Sequence, residues 1–171
     1  MLAACQPPAP EPTPVPSPTP VVTPAPTPTA VATVSPVFEN WQDAPQTPGD
    51  WRYVSEPTET LAVFGTGRTP DTVELIIRCD LATRRVGIAR SGRANGQVEM
   101  LIRTETQDRT LTATPVNAAA PLLTVELSAR DSLLDAIVFS KGRFAVEAPG
   151  TNGLYAPAYP EITRVMEDCR G

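Results

Sequence analysis

Beyond residue 50, apolar and polar positions alternate with a period of two along most of the chain. In Thr72–Cys79, Val73, Leu75, Ile77 and Cys79 fall on one face and Glu74, Ile76 and Arg78 on the other. That is the pattern of a strand with one face in a core. Arg85–Arg90 turns Val86 and Ile88 the same way, and Gln97–Arg103 does so with Val98, Met100 and Ile102. Between these two runs stands SGRANG, whose Asn95-Gly96 pair suits positive φ and predicts a hairpin joining them. Trp51–Val54, Leu61–Phe64, Arg109–Thr114, Leu122–Leu127 and Arg143–Glu147 read as further strands. Short strands about ten residues apart predict an antiparallel sandwich or a small open barrel.

Two segments switch to helical period. The first starts at Asp131, a capping residue, and ends near Lys141-Gly142. The second runs from about Pro160 to Asp168, with Pro160 at a first helical position and Glu161 in the first turn. Its apolar set, Ile162, Val165, Met166 and Cys169, is i, i+3, i+4, i+7. The expected fold is therefore mainly β with two short helices, the C-terminal one packed on the sheet. Strand parity turns Cys79 to the core and helical period turns Cys169 to the core. In an oxidising compartment these two should form a disulfide; in a reducing one they would be two buried thiols.

The first 36 residues follow a different rule. Met1-Leu2-Ala3-Ala4-Cys5 reads as a lipobox, the end of a signal peptide whose cysteine is acylated and heads the mature chain. From Gln6 to Pro36 the only charge is Glu11, and twelve of the 21 prolines fall there. Proline fixes φ and donates no amide hydrogen, so this stretch reads as a semi-rigid tether, roughly 95 Å long if fully extended. A disordered tail on a soluble protein is the plainer alternative. Gln6 rather than Asp after the cysteine points to the outer membrane. The expected plan is thus 1–5 lipobox, 6–36 tether, 37–171 one β-rich periplasmic domain.

Composition narrows the chemistry. With 0 histidines, the Ser-His-Asp triad, Cys-His nucleophiles and HExxH zinc sites are excluded. A net charge of −5 with a single lysine argues against nucleic acid as a partner. Neither metal nor cofactor is expected. Gly65-Thr66-Gly67-Arg68 lacks the rest of a phosphate loop and reads as a strand-connecting turn. Asp135, Glu147, Glu161 and Asp168 could supply a hydrolase carboxylate pair, although no spacing singles one out. Ser140 has no base beside it. Candidates for a partner surface are the basic group Arg84, Arg85, Arg90 and Arg93, and the aromatics Trp41, Trp51, Tyr155 and Tyr159.

The stretch Leu133–Arg170, LLDAIVFSKGRFAVEAPGTNGLYAPAYPEITRVMEDCR, resembles small uncharacterised lipoproteins of sphingomonad-type alphaproteobacteria. The IRC-ending strand, the helix before FAV and the cysteine in the last helix are more distantly similar to the TagO (VasI) family of type VI secretion-associated proteins. Both resemblances imply disulfide partners at Cys79 and Cys169, and neither implies catalytic residues. The expectation is a non-enzymatic lipoprotein, anchored in the membrane through acyl chains on Cys5. It would present a stapled β domain to an envelope protein or a cell-wall component. The alternatives are a periplasmic inhibitor of a wall-degrading enzyme such as a lysozyme, and a small carboxylate-dependent hydrolase.

Overall fold

The structure is a computed structural model that describes residues 40–116 and 120–171. Cys5 and the proline-rich segment 6–36 lie outside the described residues. Among the described residues nine strands form one antiparallel sheet: β1 (Asp50–Ser55), β2 (Glu59–Gly65), β3 (Val73–Asp80), β4 (Arg85–Ser91), β5 (Val98–Arg103), β6 (Asp108–Val116), β7 (Leu122–Ser128), β8 (Arg143–Glu147) and β9 (Leu154–Pro157). Their order is β1-β2-β3-β4-β7-β6-β5-β8-β9, and the sheet curls into a half-barrel. Of the two expected architectures this is the open barrel. Two helices, α1 (Ser132–Val138) and α2 (Pro160–Arg170), complete it.

Strand parity decides which face is filled. Leu75, Ile77 and Cys79 of β3, Val86 and Ile88 of β4, and Met100 and Ile102 of β5 are all fully buried on the concave side. Against them α2 lays Ile162, Val165, Met166 and Cys169, the stripe its period of 3.6 requires. Asp131 caps α1, its carboxylate accepting from the Leu133 amide at 2.9 Å. Cys79 and Cys169 are joined in a disulfide with Cα atoms 5.5 Å apart, fixing α2 to the third strand across a separation of 90 residues.

One local expectation fails, and one strand was not foreseen. The Asn95-Gly96 hairpin does not form, because β4 pairs with β3 on one side and β7 on the other, while β5 lies between β6 and β8. Neither Asn95 nor Gly96 takes a positive φ. The segment is a crossing, held at its start by the Gly92 amide donating to Pro121 O. A turn signal is local, whereas both edges of β4 are filled by strands far apart in sequence. The ninth strand, β9, has all four residues buried and so carries no alternation by which the sequence would reveal it.

Strand β6 is the corner of the half-barrel. Asp108–Ala113 pairs with β5, whereas Thr114–Val116 pairs with β7 over three positions. Pro115 falls where β5 has ended, so its missing N–H costs no ladder bond on that side. The two outermost strands are drawn together by Trp51, whose indole N–H donates to Pro157 O at 2.8 Å. The same ring packs on Phe64 and Phe144, at centroid distances of 5.2 and 6.5 Å. The segment 40–49 adds a strap: the Thr47 amide donates to Tyr155 O, and the Tyr155 amide donates to the Thr47 hydroxyl.

Candidate functional site

The convex side of the sheet carries an open depression where β2, β3, β4, β6 and β7 meet. There Ile76 of β3 and Gly87 and Ala89 of β4 form the floor of a trough of about 500 Å³, open to solvent. Leu61 and Leu122 flank it, and Thr112, Thr114 and Val116 of β6 form the wall at the corner where the sheet turns. This volume lies within the range of about 300–1,000 Å³ typical of small-molecule sites. Its two charged neighbours are already engaged: Arg78 with Glu59 at 3.0 Å, and Glu126 with Arg85 at 4.0 Å. The floor is thus electrically quiet and apolar.

Gly87 is informative. Its φ is not positive, and a Cβ there would meet nothing closer than Val125 O at 3.9 Å. The backbone therefore does not require glycine, and a glycine inside a strand weakens it. What its absent side chain provides is depth in the trough.

The expected partner surface is dispersed. Trp41, Trp51, Tyr155 and Arg90 are buried, so none of the four lies on an exposed surface. Trp41 and Ala44 of the strap close a small cluster with Ala145 and Tyr155. Trp51 seals the gap between the outer strands, as described above. Arg90 sits on the core side of β4, paired with Glu74 at 2.6 Å and donating further to Ser91 and to the Asn152 carbonyl. Burial lowers its pKa against the opposing pull of Glu74. It ties β3, β4 and the loop before β9 together.

The basic group also divides. Arg84 and Arg85 stand at the start of β4 and Arg90 and Arg93 at its end or beyond, so the arginines do not share a hairpin. Arg84, at φ 56, reaches back to the carbonyls of Asp168 and Cys169 at 3.1 and 3.2 Å. A cation there satisfies the free end of α2. Arg84, Arg85, Arg93 and Tyr159 are exposed.

Of the four carboxylates, Asp135 and Asp168 are hydrogen-bonded to different partners, whereas Glu147 Oε1 and Glu161 Oε2 are buried without a hydrogen-bond partner. Asp135 pairs with Arg170 at 2.7 Å, and Asp168 accepts from the Tyr53 hydroxyl at 2.7 Å. Glu161 lies in the first turn of α2. Glu147 is buried on the convex side of β8, 4.0 Å from Arg103. Desolvation raises its pKa, opposed by Arg103 and reinforced by Asp108. Among the described residues no cluster of three or more His, Cys, Asp or Glu could hold a metal ion. Ser140 donates to Arg143 O and accepts from the Glu105 amide, a turn-fixing role.

No family model, curated protein or solved structure matches this chain.

The trough went unpredicted because its parts come from five strands and each is unremarkable alone. The available signal was the apolar residue on the wrong parity: Ile76, Ala89 and Leu122 all face away from the core.

Proposed function

We propose that the chain is a non-enzymatic, lipid-anchored protein of the cell envelope, held on the periplasmic side of the outer membrane by acyl chains on Cys5. Its β domain would bind an envelope partner through the convex trough. The observation that carries export is the disulfide: the only two cysteines beyond the fifth residue meet across the core. Such bonds persist in oxidising compartments and are rare where thiols are kept reduced. Partner binding is supported by the trough itself, whose apolar floor and unforced glycine suit an approaching surface. Asp135 and Asp168 are each tied to a different partner, which favours a binding protein over a hydrolase that would use them as a pair.

Expression of the full gene in a Gram-negative host tests both parts. The native product should carry acyl mass on Cys5 and no free thiol at Cys79 or Cys169, and Cys5→Ser should lose the acyl mass. Ala89→Arg, which fills the trough without touching the core, should abolish cross-linking to envelope material while leaving thermal unfolding unchanged. Capture that survives Ala89→Arg refutes the trough as the binding surface. An unacylated Cys5 with free thiols at Cys79 and Cys169 refutes the export reading.

A further inference from the structure

Three large apolar side chains stand out in solvent among the described residues: Phe139 at 73 %, Tyr159 at 47 % and Val116 at 44 % exposure. Val116 borders the trough. Phe139 and Tyr159 belong together, because the Ala158 amide donates to Gly142 O and sets Tyr159 beside the turn that follows Phe139. That turn is not loose. The Phe139 amide donates to Asp135 O, Ser140 locks onto Arg143 and Glu105, and Gly142 takes φ 80 to let β8 begin. Phe139 is therefore held outward by its surroundings. Lys141, the chain's one lysine, is 86 % exposed beside it and pairs with Glu105 at 3.3 Å.

The same pole is where the preceding chain departs. Going back along the strap, Thr47 pairs with Tyr155. The carbonyls of Ala44 and Gln42 are then taken by the Arg143 guanidinium, just after the Phe139 turn. Arg143 is itself opposite Pro157 at the end of β9. Strap and ninth strand therefore run to one end of the domain, and Asn40 lies there. The 39 residues before it carry Cys5 at their far end.

We propose that this pole docks on the phospholipid surface, Phe139 and Tyr159 entering the interfacial layer and the Lys141 ammonium meeting headgroup phosphate. Phe, Tyr and a single cation are what an interfacial contact uses. The inference rests on acylation of Cys5, which delivers the pole to the bilayer at high local concentration and makes a weak contact effective. With a net charge of −5, the protein as a whole is not drawn to anionic lipid, so attraction must come from the patch.

The test uses the full chain carrying Cys5→Ser, so that no acyl chain contributes, and vesicles of phosphatidylethanolamine with phosphatidylglycerol. At lipid concentrations of about a millimolar or more, matching what a tether supplies locally, a measurable fraction of this protein should co-sediment with the vesicles. Phe139→Ser should weaken partition about tenfold, the loss expected when a phenyl ring no longer leaves water. Val116→Ser, also at an exposed apolar position but away from the pole, should leave it unchanged. Absence of co-sedimentation overturns the docking, as does equal loss from Phe139→Ser and Val116→Ser. Loss of a protein cross-link on Phe139→Ser with vesicle partition intact makes the pole a protein interface and also overturns it. The intact mass of Cys5 in the wild-type protein separates the two proposals: acyl mass without vesicle binding removes the docking alone, and missing acyl mass removes the anchor beneath it.

Discussion

At the scale of single residues, two positions keep something the fold alone would not choose. Gly87 forgoes the stability of a side chain in a central strand where nothing obstructs one. Gly87→Val should therefore raise stability by about 0.5–1 kcal/mol while its methyl groups fill the trough and abolish partner capture. Urea unfolding and cross-linking on the same preparations check this, and a variant that is stabilised yet still binds would detach the trough from function. Glu147 is a buried acid whose pKa is raised chiefly by desolvation. In the pH window between the unfolded value, about 4.3, and the raised folded value, the native state binds more protons than the unfolded chain. Stability contributed by this group is therefore present in acid and declines as pH rises through that window. Glu147→Gln should be more stable than the parent at neutral pH and flatten that decline, measured by thermal unfolding at a series of pH values.

At the scale of elements, α2 is held by apolar packing, by Arg84 at its C-terminal carbonyls and by one covalent bond. Replacing Cys79 and Cys169 together by alanine removes the bond without leaving a lone thiol. For a closed loop of this length the chain-entropy model gives about 4.6 kcal/mol, and native disulfides in small exported domains are worth about 2–5 kcal/mol. The doubly substituted protein should lose that much in denaturant unfolding, with amides of Pro160–Arg170 exchanging first. The staple was legible in the sequence because two short-range periodicities, two residues in β3 and 3.6 in α2, each mark an inward face independently. Most strands were legible for the same reason. What escaped depended on pairing at long range. Asn95-Gly96 has the composition of a hairpin, yet β7 had already taken the edge of β4 that such a hairpin needs. Trp41, Trp51 and Tyr155 look like a binding surface until the strap packs on β8 and β9 and β1 meets β9, which bury all three. The trough is built from outward residues of β2, β3, β4, β6 and β7, and no window of sequence contains it.

At the scale of the whole molecule, the open question for any half-barrel is what becomes of its two edge strands, since unpaired edges invite association. Here β1 and β9 are not hydrogen-bonded as neighbours in the sheet, and the gap between them is spanned by side chains. Trp51 belongs to β1 but gives its indole N–H to a carbonyl of β9, and its ring rests on Phe64 and Phe144. Trp51→Phe retains an aromatic ring in that position and removes the donor, so the buried Pro157 carbonyl loses its partner. A buried acceptor left in this way costs about 1–3 kcal/mol. If the indole closes the barrel, the cost will not be spread evenly. Hydrogen exchange should accelerate in β9 and at Thr47 of the strap, while amides of β3 and β4 keep their protection. Tyr53→Phe provides the control, since it too removes a single hydrogen bond from β1, the one from its hydroxyl to Asp168 on α2. It should destabilise without opening β9. Uniform acceleration in both variants would mean that the edges are held by the core as a whole, and that Trp51 is one packed aromatic among several.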